Sequence, residues 1–275
     1  MPTVRLTRKV SFSSGHRFWN AAKTEPENRA LYGEWASPYN HGHNYVLEVT
    51  ASGKVDETTG MVVNIKDIDD ALQERIVSKF AQRSINDEVP GFDTKTPCLE
   101  NLLLFLREEA GNLPGGARLE HLKLEETPLF YGEWTRDGDK VTVTRSYEFA
   151  ASHRLQQDAI SHEENLRLYG KCNNPAGHGH NFVLEVTVGG KPDPATGFIT
   201  DLGALDAAVK ERVLDRYDHK HLNTDVPELL GKVPTSEVVA LEIYRALDGH
   251  VPGVLERVSL RETDRSGFEV RRGDL

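Results

Sequence analysis

His178-Gly179-His180-Asn181-Phe182-Val183-Leu184-Glu185-Val186-Thr187 is a near copy of His41-Gly42-His43-Asn44-Tyr45-Val46-Leu47-Glu48-Val49-Thr50, which lies 137 residues earlier. The same offset relates Leu31-Tyr32-Gly33 to Leu168-Tyr169-Gly170, Gly15-His16-Arg17 to Ser152-His153-Arg154, and Val89-Pro90 to Val226-Pro227. An ungapped offset sustained over that span marks a tandem duplication, and the period suits a small domain rather than a solenoid unit. The junction falls in Arg136-Asp137-Gly138-Asp139-Lys140, so residues 1–137 and 138–275 are expected to be two copies of one domain. Asp-Gly there suits a tight turn between strands, with no Ser/Gly/Pro-rich linker between the copies.

The element order reads most clearly in the second copy. Val141 to Ala151 is rich in β-branched and aromatic residues, and Phe182, Leu184, Val186 and Val188 alternate with an opposite face, so both segments read as strands. Leu202, Leu205, Val209, Val213 and Tyr217 recur at helical spacing over Asp201 to Tyr217. Pro234-Thr235-Ser236-Glu237 is a helix-start signature before Val238, Leu241, Ile243, Tyr244 and Leu247. Val254 to Glu262 and Gly267 to Val270 read as two final strands. The order β-β-α-α-β-β predicts an α+β fold: a four-stranded antiparallel sheet in each copy with two helices on one face.

Composition narrows the function classes. Among 275 residues, 33 Lys plus Arg face 43 Asp plus Glu, a formal net charge of −10. Such a chain repels a polyphosphate backbone and an anionic bilayer, so nucleic acid and membrane are excluded as main partners, while a locally cationic pocket could still take a small anion. Two cysteines, Cys98 and Cys172, form no disulfide framework and suit a reducing compartment. With no apolar signal segment and no run approaching 18 apolar residues, the expected location is cytoplasmic.

Residues i and i+2 of a strand share a face, so His178 and His180 can meet one metal ion. His153, at the end of the preceding strand, can supply a third nitrogen, and three neutral imidazoles with an open position form the ligand set of a catalytic Zn²⁺. The whole set recurs as His16, His41 and His43, which separates it from chance histidines. Cys172 sits in the polar loop Gly170-Lys171-Cys172-Asn173-Asn174-Pro175, where an exposed thiol beside a cation could act as nucleophile or general base. Cys98 opens an apolar helix and reads as a small buried hydrophobe. Asp218-His219 can act as an acid–base pair, the carboxylate setting the imidazole's tautomer.

Phe149-Ala150-Ala151-Ser152-His153-Arg154-Leu155, the Gly170-to-Asn181 block, Asp193-Pro194-Ala195-Thr196-Gly197, Asp218-His219-Lys220-His221-Leu222-Asn223, Pro234 to Glu237 and Arg261-Glu262-Thr263 together resemble the 6-pyruvoyl-tetrahydropterin synthase family. The resemblance covers Val143 to Val270 and implies the tunnelling fold, β-β-α-α-β-β units joining edge to edge into a barrel. It implies Zn²⁺ on His153, His178 and His180, Cys172 as general base, and Asp218 with His219 as the second acid–base element. It also implies a pterin anchored by Glu262 of the Glu262-Thr263 pair and lined by Thr235, Ser236 and Glu237. The implied substrate is 7,8-dihydroneopterin triphosphate, which loses triphosphate. The related 6-carboxytetrahydropterin synthase of queuosine biosynthesis shares these residues but also releases acetaldehyde. A non-catalytic pterin- or purine-binding module is the alternative from another class.

The first copy departs from the pattern. Trp35, Ala81 and Gln82 stand where Cys172, Asp218 and His219 are expected, while Glu126-Thr127 matches Glu262-Thr263 after a one-residue deletion. The first copy is therefore expected to bind metal, and a pterin through Glu126, without performing the reaction; only a shifted alignment would make Glu34 a base. Open sheet edges call for a homo-oligomer. A trimer of two stacked rings is preferred here to a 16-stranded ring of two chains, the form taken by tandem tunnelling-fold proteins such as urate oxidase, and to a tetramer.

Overall fold

The computed structural model describes residues 2–275. It divides into two compact units: one ends at Val143 and also includes Gly190–Ile199, and the other comprises Thr144–Gly189 and Thr200–Leu275. The assignment of Gly190–Ile199 to the first unit is not foreshadowed by the repeat pattern.

In the first unit, strand Thr3–His16 pairs antiparallel with His41–Lys54, which pairs with Arg118–Thr127, which pairs with Phe130–Thr135. Helices Ile65–Leu72 and Leu99–Glu109 pack on these strands. Tyr45, Leu47, Val49 and Ala51 alternate along one strand and are buried, as period-2 patterning requires, and Ile68, Leu72, Leu103 and Leu106 of the helices are buried in the core as well. Cys98 caps the second helix and is buried, as its apolar surroundings suggested.

The second unit repeats this plan. Strand His178–Gly189 pairs antiparallel with Val254–Thr263, which pairs with Ser266–Arg271, and Lys140–His153 lies on its other side. Register fixes the correspondence of the two copies: Val46 faces Glu125, and Val183 faces Arg261. The next residues, Glu126 and Glu262, are therefore equivalent, with the expected one-residue deletion.

Three features go beyond the expected order. A two-residue strand, Arg83–Ser84 or Lys220–His221, adds in parallel beside the end of each unit's histidine-bearing strand. The first long helix of each unit passes through a π-turn, Gln73–Val77 or Lys210–Leu214. A short helix, Glu25–Tyr32 or His162–Tyr169, separates the first two long strands. It lacks an apolar stripe because polar groups hold it: buried Asn28 and Asn165 each donate to three backbone carbonyls of the preceding turn. Among the described residues no helix is long and apolar enough to cross a membrane.

Leu184 is fully buried. Leu184→Ala is expected to cost about 2–5 kcal/mol, through lost burial and the cavity left behind. The exposed Leu166→Ala should stay within about 0.5 kcal/mol. Urea unfolding midpoints check both.

Candidate active site

Each unit brings its three histidines together: His16, His41 and His43 in the first, His153, His178 and His180 in the second, with one ligand atom from each lying within 4.8 Å of the others. The first histidine of each set ends a strand and is buried. His153 Nδ1 lies 2.8 Å from the carbonyl of Pro234, and His16 Nδ1 lies 3.0 Å from that of Pro97. A carbonyl only accepts, so Nδ1 carries the proton and Nε2 presents its lone pair to the cluster.

His153 Nε2 faces His178 Nε2 at 3.2 Å. Two nitrogens on one tetrahedral Zn²⁺, at about 2.0–2.1 Å each, would be separated by roughly 3.3 Å. His180 Nε2, His16 Nε2 and His43 Nε2 are buried with no hydrogen-bond partner. Buried polar atoms without partners are costly, and a cation shared by converging lone pairs satisfies them, so both sets fit a metal.

Burial disfavours the charged imidazole at His16, His41, His43, His153 and His178. It lowers the pKa of His153 and His178, chiefly by desolvation, and lowers that of His16 to about 3 and His43 to about 4. These five imidazoles thus favour the neutral form, as metal binding requires. An unfolded chain protonates these groups as the pH drops through 6.5, whereas folded His16 and His43 resist until about 3 and about 4. The unfolded state binds more protons in that window, so stability is full above about pH 6.5 and is lost as pH falls. Denaturation midpoints of chelator-treated protein between pH 7 and 4 should fall accordingly, and an unchanged midpoint would contradict this.

In the second unit the long helix ends at Tyr217, and Asp218-His219 follow at once. Asp218 Oδ1 accepts from the backbone N–H of Ala150 at 2.8 Å, and its Oδ2 lies 2.9 Å from His219 Nδ1. The Ala150 bond, then the His219 contact, hold the Asp218 carboxyl below its usual pKa. His219 has φ 56, an unusual conformation for a residue with a side chain, and is largely exposed. It lines a cleft of about 560 Å³ shared with His180, Asn181, Lys220 and His221. One histidine of the cluster and His219 of the Asp218–His219 pair therefore open onto the same space.

Cys172 is partly exposed on the 3₁₀ turn Gly170–Asn173, and its carbonyl accepts from the N–H of Leu155, two residues beyond His153. It does not line the cleft described above. Glu262 is half-buried, Ser236 Oγ donates to its Oε2, and its charge partly offsets the lowering of His153 and His178 by burial. Thr235 caps the helix that Ser236 opens, with Glu237 exposed beside it, and Thr263 bonds Ser266 across the final turn.

The first unit keeps the frame but not these groups. Its 3₁₀ turn, Gly33–Trp35, begins with Gly33 at φ 58, as the other begins with Gly170 at φ 49. Trp35 holds the third position of this turn, as Cys172 does of its own, with Glu34 exposed beside it. Gln82 keeps the positive φ of His219 without the imidazole. Glu126 lies 3.6 Å from His43 Nε2.

The flanking charges also differ. In the first unit Arg17 pairs with Asp87 at 2.6 Å and Arg83 with Glu88 at 2.7 Å. At the equivalent positions Arg154 and Lys220 have no carboxylate within ion-pair distance among the described residues; Thr224 replaces Asp87, and Asp225 accepts instead from the His221 backbone N–H. Sequence reading missed this contrast, although the Asp87-to-Thr224 difference signals it. It also missed the orienting carbonyls of Pro97, Pro234 and Ala150, which leave no signature in side-chain identity.

The fold and the site define a duplicated α+β unit with a three-histidine cluster able to hold a metal ion in each copy and an Asp–His pair in one. The 6-pyruvoyl tetrahydropterin synthase family matches residues 5–136 and again 142–273, and the chain belongs to that family. It is 47% identical over 125 residues to the 6-pyruvoyl tetrahydrobiopterin synthase of Homo sapiens, spanning 45% of this chain and 86% of that protein. The Dictyostelium discoideum protein of the same name is 42% identical over 134 residues, 49% of this chain and 97% of its own. A putative 6-carboxy-5,6,7,8-tetrahydropterin synthase of Archaeoglobus fulgidus is 35% identical over 95 residues, 34% of this chain and 76% of its own. Among solved structures, the 6-pyruvoyl tetrahydropterin synthase of Caenorhabditis elegans matches 49% of this chain and 96% of its own at 38% identity, with a TM-score of 0.47.

Proposed function

We propose that the second repeat converts 7,8-dihydroneopterin triphosphate to 6-pyruvoyl-tetrahydropterin with elimination of triphosphate, and that the first repeat does not turn over. The observation that carries this is the cleft lined by both His180 of the histidine cluster and His219, whose Nδ1 is held by Asp218; the first repeat lacks this juxtaposition because Gln82 replaces His219. His153, His178 and His180 would hold Zn²⁺ there, and His16, His41 and His43 a second ion. Bound Zn²⁺ supplies Lewis-acid polarisation of the substrate's side-chain oxygens, which makes the adjacent C–H more acidic.

In this reading Glu262 accepts the pterin's N–H groups and fixes the ring, with Thr235, Ser236 and Glu237 beside it. Cys172 takes the side-chain proton as thiolate. Asp218 holds the Nδ1–H tautomer of His219 so that Nε2 can accept and return a proton. Arg154 and Lys220, with no carboxylate within ion-pair distance among the described residues, offer a local attraction for triphosphate in a chain of net charge −10. The same reading places the protein in the cytoplasm as a homo-oligomer.

The carboxy-forming branch is the second reading, favoured by the 35% identity to the Archaeoglobus fulgidus protein. An acetaldehyde assay during turnover separates the two: triphosphate without acetaldehyde is expected, and equimolar acetaldehyde would assign the other branch. Metal analysis of well-loaded protein should give about two ions per chain. One ion would remove the first-repeat site, and none would overturn the metal assignment.

A further inference from the structure

We propose that the second repeat carries a binding site for a small oxyanion, a phosphate or a carboxylate, between the π-turn Lys210–Leu214 and helix Ser236–Leu247, apart from the histidine cluster.

A cleft of about 390 Å³ opens there, lined by Arg212, Arg216, Glu228, Glu242, Arg245 and Ala246 and by the exposed Glu211. Two of its carboxylates are already committed. Arg216 grips Glu228 through two bonds, at 2.5 and 3.1 Å. Glu242 is only 8% exposed; its Oε1 accepts from Arg245 at 2.7 Å and lies 2.8 Å from Lys232 Nζ. One carboxylate thus faces two cations. Arg212 is half-buried and has no carboxylate within ion-pair distance among the described residues. The balance around the cleft is positive, with Lys232 and three arginines against three carboxylates.

The first repeat shows that the fold does not require these charges. At the 137-residue offset Phe105 stands for Glu242, Gly91 for Glu228 and Phe80 for Tyr217. The Phe105 ring meets Phe80 at 5.6 Å and Phe92 at 5.5 Å, so apolar rings pack where the second repeat places a buried carboxylate. Lys79, the counterpart of Arg216, lies over Phe105 and pairs with Glu109 at 2.7 Å. Arg75, the counterpart of Arg212, donates to the Asn112 carbonyl at 2.6 Å. Both cations there have partners within the repeat. In the second repeat Ala246 stands for Glu109, which removes one carboxylate, and Arg212 is left without a partner. Burying a carboxylate costs more than burying a ring, and its ion pairs seldom return the difference. Packing of these helices therefore gives no reason for the charged cleft, and a ligand does.

An oxyanion suits what the cleft offers. Arg212 and Arg245 present planar forks of N–H donors, which phosphate and carboxylate oxygens accept in pairs. A cationic ligand does not suit it, because Glu228 and Glu242 are already paired and Arg212 would repel it. A local positive excess also concentrates anions around a chain whose net charge is −10. The cleft shares no lining residue with the one that holds His180 and His219.

Calorimetric titration of metal-loaded protein with inorganic phosphate, and separately with succinate, tests this. At least one probe should bind with a Kd on the order of 1 mM or tighter, and the tighter of the two names the ligand class. Arg212→Gln combined with Arg245→Gln should weaken that binding by at least about tenfold while leaving kcat unchanged. Ala246→Glu keeps both arginines but restores the carboxylate of the first repeat, and it should weaken binding in the same way. Arg154→Gln combined with Lys220→Gln removes the cations beside the histidines and should leave this binding in place, which separates the proposal from the reading of the reacting site. Binding of neither probe, wild-type affinity in both cleft variants, or loss of binding with the Arg154 and Lys220 changes alone would overturn the proposal.

Discussion

Cys172→Ala is expected to lower kcat by a factor on the order of 10²–10⁴, the usual contribution of a positioned general base. Only the second repeat has a thiol on this turn; the first has Trp35 there, 42% exposed. Metal content should not change, because the thiol is not one of the three converging ligands. The control is Glu34→Gln, which should leave kcat nearly unaltered. Glu34 is the one carboxylate on the first-repeat turn, and Ala81 and Gln82 beside that repeat's histidines cannot move a proton. A large loss with Glu34→Gln would mean that the two turns are misaligned and that the first repeat also reacts.

Paired histidine substitutions should produce the second large effect, and one that splits. His153→Ala removes a buried ligand whose Nδ1 is tied to Pro234, so neither ring position nor tautomer can be rebuilt by solvent. It should cost one metal ion per chain and essentially all turnover. His16→Ala, the equivalent change in the first repeat, should also cost one ion while leaving kcat near wild type. Metal analysis and initial rates on the same preparations separate the outcomes. If His16→Ala abolished turnover, the division of labour between the repeats would be wrong.

Much of this architecture is written plainly in the chain. Identical spacing in two copies exposes the duplication, and histidines at i and i+2 of a strand must share a face, so both triads are readable from residue spacing alone. Family membership and the α+β plan follow from the same segments. What could not be read depends on backbone or on distance. The carbonyls of Pro97 and Pro234 set the imidazole tautomers, and a carbonyl has no sequence identity. The short helices at Glu25 and His162 form through asparagine bonds to backbone rather than an apolar stripe, so hydrophobic periodicity passes over them. In the first unit the N–H of Ile199 reaches Glu100 and the Phe198 ring meets Phe18, joining residues about 100 and 180 positions apart, and a glycine-containing turn gives no hint of its partner.

The direct test of the central claim is the product formed by purified, metal-loaded protein from 7,8-dihydroneopterin triphosphate, identified by mass spectrometry. The expected result is 6-pyruvoyl-tetrahydropterin with one triphosphate released per substrate. Recovery of unaltered substrate from protein carrying its full complement of metal would contradict it.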